Sequence, residues 1–203
     1  MNFALLRNSL RMRLLVGTLI WIAISILVAG WGLGQLFHQH VEAQFDAELK
    51  NHLDHLTAQL ILDEQNQAKI QSLPSDPRLN KPLSGLYWQI DRIAAAGESP
   101  ARALLRSRSL WDERLAVPAD APADGEIHQH RIDGPQGAAL RVLERSVTIE
   151  TDSLRLIVGA NENFLTEPIA EFKGHLWLAL GILGVGLTFA ASMQVFVGLA
   201  PLR

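Results

Sequence analysis

The sequence predicts an α+β protein in which two membrane-crossing helices bracket one water-soluble domain, itself a long amphipathic helix followed by about five antiparallel strands. Three observations lead there. Two runs of about 24 residues, 14–37 and 176–199, carry no charged side chain, and roughly 20 apolar residues let a helix cross the hydrocarbon core of a bilayer. The segment between them, 38–175, holds all 21 Asp and Glu and every Lys and Arg except Arg7, Arg11, Arg13 and Arg203. Within that segment the apolar spacing changes from the 3–4 repeat of a helix to the alternation of strands.

The first run, LLVGTLIWIAISILVAGWGLGQLF, must be helical in lipid, where only a helix satisfies its own backbone, and Trp21, Trp31 and Phe37 give it aromatic bulk. A cleaved secretory signal is the alternative. Its apolar region would span about 7–15 residues and end at a small-residue cleavage site; Val28-Ala29-Gly30 is a weak match and the run is too long. The second run, LWLALGILGVGLTFAASMQVFVGL, completes a hairpin across the membrane. Arg7, Arg11 and Arg13 before the first run and Arg203 after the second, with no acid near them, place both termini in the cytoplasm by the positive-inside rule. The middle is then extracytoplasmic, which in a bacterium means periplasmic. The chain divides into an N-terminal segment placed in the cytoplasm (1–13), a first span (14–37), a soluble domain of ordinary size (38–175), a second span (176–199) and a short closing segment (200–203).

Composition narrows the chemistry. The chain has no cysteine, which excludes disulfides, thiol catalysis and Cys-zinc sites. The acidic middle argues against nucleic acid as a partner, because phosphate binding needs a concentrated basic face. No GxSxG, HExxH or P-loop is present, so hydrolytic and nucleotide chemistry find no support.

Taken in order, residues 38–72 place Val41, Phe45, Leu49, Leu53, Leu56 and Leu60 on one stripe of a helix, with charges opposite. Nothing between Gln35 and Gln39 breaks a helix, so it should run on from the span. Leu73-Pro74-Ser75-Asp76-Pro77 ends it. Residues 86–91 alternate as a half-buried strand with Leu86, Trp88 and Ile90 inward. Residues 94–100 read as a turn and 103–111 as a second strand. The Pro-, Ala- and Asp-rich stretch 112–126 reads as an exposed loop. Strands at 127–132 and 139–149 are joined by Asp133-Gly134-Pro135-Gln136-Gly137, a hairpin signal. After a turn at 151–153, the near-continuous LRLIVGA of 154–160 is a central, covered strand. Residues 161–174 form a helix with Phe164, Leu165, Ile169 and Phe172 in a stripe leading into the second span.

This order, with SGLYWQID (84–91), LLRSRSLWDERL (104–115), GPQGAALRVLERSV (134–147) and LIVGAN (156–161), resembles the N-terminal input half of proteobacterial two-component sensor histidine kinases with a PAS-like periplasmic domain. Ala200-Pro201-Leu202-Arg203 resembles the opening of a HAMP linker, which makes Pro201 the signal exit. The resemblance implies a homodimer in the bacterial inner membrane that passes a periplasmic stimulus to a cytoplasmic kinase and, through it, to a response regulator. It also implies that ATP and Mg bind only in the kinase part. No phospho-accepting His helix or ATP-binding box stands in these residues, so this stretch is expected to sense and transmit, not to catalyse. A chemoreceptor input module and a membrane-tethered envelope scaffold are the alternatives; the strand-rich middle disfavours the all-helical bundle of many chemoreceptors.

Several clusters can carry the stimulus: a divalent metal, a cationic peptide or acid. On the first soluble helix His38/Glu42, Glu48/His52 and His52/His55 share faces and offer imidazole and carboxylate to zinc, iron or nickel. The same spacing suits a solvated face laced with ion pairs. His128 and His130 point to one side of a strand, with Glu126 beside them. That trio is a second possible ligand set; a polar outer face is the plainer account. Arg106, Arg108, Arg141, Arg145 and Arg155 can meet as an anion patch or pair with Glu144, Glu150, Asp112 or Glu113. Asp112, Glu113, Asp120, Asp124 and Glu126 make an acidic loop. In the spans, Gly30 and Gly34, and Gly186, Ala190 and Gln194, give small or polar faces for packing within the hairpin or in a dimer.

Overall fold

In the computed structural model the described residues are 10–65, 67–72, 74–93, 101–118, 125–149 and 152–198. Pro201, the remainder of 200–203, the turn at 94–100, and Asp120, Asp124 and Glu150 lie outside them. The chain forms two compact units, one of residues up to Val41 together with those from Pro168 onward, the other Glu42–Glu167.

The first unit is built from two helices, α1 (Leu10–Gln59) as far as Val41 and α2 (Asn163–Gly198) from Pro168 onward. Both are long and apolar enough to cross a membrane. Their hydroxyls do not need solvent: Thr18 Oγ1 donates to Leu14 O at 2.9 Å and Ser192 Oγ to Thr188 O at 2.8 Å, the usual way for a hydroxyl to be satisfied inside an apolar helix. The helices meet through small residues and aromatics. A Cβ on Gly30 would fall 2.8 Å from the Trp177 ring and one on Gly184 would fall 2.9 Å from Ile26; Phe37 stacks on Phe172 with centroids 3.9 Å apart. Trp21, Trp31, Val185 and Phe189 are each more than 70% exposed. Apolar surface of that extent suits lipid, not water.

The second unit departs from expectation at the end of α1. The helix stops at Gln59, and in place of a helix to residue 72 the chain makes a small hairpin, β1 (Leu60–Leu62) with β2 (Ala68–Ile70). Asp63 explains the break: its Oδ1 accepts from Gln65 N at 2.9 Å and Gln67 N at 2.8 Å, a local turn that competes with helix propagation. The stripe itself is as expected, with Phe45, Leu49, Leu53, Leu56 and Leu60 all buried.

The main sheet has five antiparallel strands, β3 (Leu86–Arg92), β4 (Ala101–Arg106), β5 (Ile127–Asp133), β6 (Ala139–Ile149) and β7 (Asp152–Asn161), in the order β4-β3-β7-β6-β5. As the sequence suggested, β7 is central and buried along LRLIVGA. Three details differ. Strand β3 is not half-buried: Tyr87 and Gln89 are as covered as Leu86, Trp88 and Ile90, because both faces of the sheet are overlaid. Strand β4 ends at Arg106 and gives way to a 3-10 turn over Arg108–Leu110. The stretch expected as an exposed loop is irregular and exposed at 112–114, 116 and 118, as expected, but Leu115 turns inward, only 2% exposed and packed with Tyr87, Leu110, Leu140, Val142 and Ile157. Its anchor is Gln89, whose Oε1 accepts from Leu115 N at 2.8 Å and whose Nε2 donates to Leu115 O at 3.3 Å.

Candidate functional site

Register decides which side chains meet. In the β5–β6 hairpin His128 lies opposite Glu144 and His130 opposite Val142, so both imidazoles share a face with the Glu144 carboxylate. The turn that sets this register is tight: Gly134 N donates to Ala138 O at 2.8 Å, and Gln136 and Gly137 both adopt positive φ, 59° and 74°. Across β6–β7, Glu144 pairs with Ile157 and Ser146 with Arg155, which brings Arg155 diagonally beside Glu144. Gln89 and Asp91 of β3 continue the same face, their residues paired with Ile157 and Arg155. One face of the sheet therefore carries a row of polar groups beneath the folded-back segment 107–118.

Glu144 is the centre of that row and is fully buried. Its Oε2 forms an ion pair with Arg155 Nη2, and its Oε1 lies 3.3 Å from His130 Nε2. Neither carboxylate oxygen accepts a hydrogen bond among the described residues; Oε2 is balanced by the charge of Arg155. Arg155 also donates to the Pro118 carbonyl, tying the overlying segment to the pair. His128 Nε2 is 3.7 Å from Glu126 Oε2, and its ring centroid is 6.4 Å from that of His130. Asp91 Oδ1 accepts from Gln89 Nε2 at 2.9 Å and from Ala103 N at 2.6 Å. The sequence had pointed to His128 and His130 with Glu126. The structure keeps both imidazoles together, puts Glu126 behind His128, and adds Glu144 from the neighbouring strand: one donor atom from each of His128, His130 and Glu144 falls within 4.8 Å of the others.

The helix cluster regroups as well. Glu48 and His52 come together with Asp76, not with His55, and all three donor atoms again lie within 4.8 Å. Arg78 already fills this site. Its Nε donates to Asp76 at 3.1 and 3.0 Å, and its Nη2 pairs with both Asp76 and Glu48. That guanidinium holds the Asp76 carboxyl below its ordinary range and is itself stabilised in the charged form. Burial pushes the His52 imidazole down, despite Asp76 and Glu48 nearby. His38, Glu42 and His55 belong to neither three-donor group; Glu42 is engaged instead by Arg141.

The five arginines do not converge. Arg141 and Arg145 sit on the opposite face of β6 from Glu144 and reach α1: Arg141 to Asp46 at 2.9 Å and Glu42 at 3.1 Å, Arg145 to Asp54 at 2.7 Å. Burial works against the charge of Arg141, but Asp46 and Glu42 more than offset it. Arg106 and Arg108 line a shallow pocket of about 340 Å³ with Trp111 and Asp112. In the helical unit, Gly186, Ala190 and Gln194 face outward, and it is Gly30 and Gly184 that pack within the hairpin. Gly34 is buried with nothing within 4 Å of its Cβ position.

Against known proteins the chain is 25% identical over 188 residues to Sensor protein kinase CarS of Pseudomonas aeruginosa. The alignment takes in 92% of this chain and 38% of that kinase, so the chain spans well under half the length of the curated relative it matches. This likeness over most of its length supports a sensor region of the sensor-kinase type, with a sensing or signalling role at a membrane. No protein-family model and no solved structure matches it.

Proposed function

We propose that this chain is the periplasmic sensing and transmembrane transmitting module of an inner-membrane sensor histidine kinase. The observation that carries the reading is the coincidence of two independent features. A sensor kinase aligns with 92% of the chain, and in the sequence two span-length helices flank a mixed helix–sheet unit. The five-stranded antiparallel sheet behind a long helix suits a PAS-like input domain. A stimulus that prefers one packing of that domain shifts a two-state equilibrium, and helices with no break at the membrane carry small displacements onward to Pro201 and a HAMP-type linker. The module works as a homodimer, for which the outward Gly186, Ala190 and Gln194 offer a close-packing face. The kinase part of the full protein supplies ATP- and Mg-dependent autophosphorylation and passes phosphate to a response regulator.

Topology tests the reading directly, and the absence of cysteine makes a single introduced thiol an unambiguous reporter. Asn51→Cys, on the exposed face of α1, should react with a membrane-impermeant maleimide in intact cells whose outer membrane is permeable. Reaction only after the inner membrane is opened, or recovery of a chain shortened at its N-terminus, would sink the proposal.

A further inference from the structure

We infer that His128, His130 and Glu144 form a binding site for a divalent transition-metal ion such as Zn²⁺, Ni²⁺ or Co²⁺. The geometry is that of a three-ligand centre. Two imidazoles project from one side of β5 at i and i+2, and the third donor comes from the adjacent strand β6, directly opposite His128. Bonds of about 2.0–2.2 Å arranged tetrahedrally hold donor atoms roughly 3.4 Å apart. The His130–Glu144 pair is already at 3.3 Å, and the widest separation in the trio is within 4.8 Å. Rotation of the half-exposed His128 ring closes the remainder.

The surroundings are also those of a metal site. Arg155 engages one oxygen of Glu144 and leaves the oxygen beside His130 facing the imidazoles, which orients the carboxylate. Glu126 Oε2 stands 3.7 Å from His128 Nε2 and adds negative charge that offsets Arg155. The fourth position is open toward solvent, where the two histidines are partly exposed. Two nitrogen donors and one oxygen favour Zn²⁺, Ni²⁺ or Co²⁺ over Ca²⁺ or Mg²⁺, which take all-oxygen shells. At the rival cluster of Glu48, His52 and Asp76, Arg78 occupies the space an ion would need. Use of the metal as the sensed stimulus rests on the function proposed above; the affinity does not.

The test is calorimetric titration of the tag-free, chelator-stripped full chain in detergent with Zn²⁺ and with Co²⁺, whose visible spectrum reports tetrahedral coordination. One ion per chain should bind saturably. His128→Gln and His130→Gln should each weaken binding on the order of 10²-fold, while His52→Gln changes it little, and Ca²⁺ and Mg²⁺ should not compete. A chain with Gln at the other five histidines, 38, 40, 52, 55 and 175, should bind as the parent does, which keeps the site testable if the strand variants misfold. No saturable binding, or binding lost in the five-fold variant but kept in the strand variants, overturns the site and leaves the topology result untouched. Binding in a chain whose Asn51→Cys label faces the cytosol would keep the site and remove the sensing role.

Discussion

On one face of the main sheet Leu86, Ile90, Leu143, Leu154 and Leu156 are buried with the leucine stripe of α1, and charge is confined to the rim, where Arg141 and Arg145 hold the acids of the helix. On the other face Gln89, Asp91, Glu144 and Arg155 lie in the interior, and a short irregular segment anchored by Gln89 covers them. The same strands supply both faces by simple alternation. The first stabilises through area removed from water; the second holds an ion pair whose desolvation offsets much of its attraction. A sheet stable enough on one side can thus carry polar, adjustable groups on the other.

The contrast is sharpest for two arginines on opposite faces. Arg155→Met leaves the buried Glu144 carboxylate without its cationic partner, and should cost about 3–5 kcal/mol in thermal or denaturant unfolding of the full chain. Replacing both, Arg155→Met with Glu144→Leu, should recover most of that loss, since an apolar pair of similar volume is close to neutral there. If the single and double variants unfold alike, the pair is not coupled and the polar face is held by other contacts.

On the apolar face the expected cost comes from cavities. Leu53→Ala, at a fully buried position of the α1 stripe, should destabilise by about 2–5 kcal/mol, with no companion substitution able to restore it by removing a charge. Arg141→Met should do far less. Its partners Asp46 and Glu42 are themselves more than a third exposed, and pairs of that kind contribute about 0–1 kcal/mol. The small loss should shrink further as salt is added. A loss at Arg141 as large as at Arg155 would erase the distinction between rim and interior.

The apolar face was the legible one. The spacing of Phe45, Leu49, Leu53 and Leu56 shows in the sequence because helix period and burial coincide, and LRLIVGA reads as a central strand because nothing polar interrupts it. The hairpin at 133–137 announces itself through Gly134, Pro135 and Gly137. The polar face was legible only in part. His128 and His130 could be seen to share a side, but their third partner depends on the register of β5 against β6, which places Glu144 and not the sequence neighbour Glu126 at the centre. Leu115 looked like loop because its cover comes from Gln89, 26 residues away. Likewise Asp76 and Arg78, on either side of Pro77, fold back onto Glu48 and His52, a contact no local pattern foretells. The end of α1 was misplaced because Asp63 caps a turn with its side chain, a choice that helix periodicity does not register.

The smallest expected effect belongs to His52, on the helix side of the comparison. Burial lowers its pKa below the ordinary 6.5, outweighing the attraction of Asp76 and Glu48; Arg78 and His55 also lower it. The unfolded chain therefore takes up a proton near pH 6.5 that the folded chain resists, so stability is full above that pH and is lost as pH falls toward the lower folded value. Asp76, lowered chiefly by its hydrogen bond from Arg78, adds a second loss in the same direction only below its ordinary 3.8. Melting temperatures of the full chain between pH 7.5 and pH 5 should thus fall more steeply for the parent than for His52→Gln, which has no proton to gain. Equal slopes would mean that the imidazole titrates as it does in the unfolded chain; a steeper fall in the variant would mean that Asp76 and Glu48 hold a charged His52, and that this side of the sheet, too, depends on an ionised group in its interior.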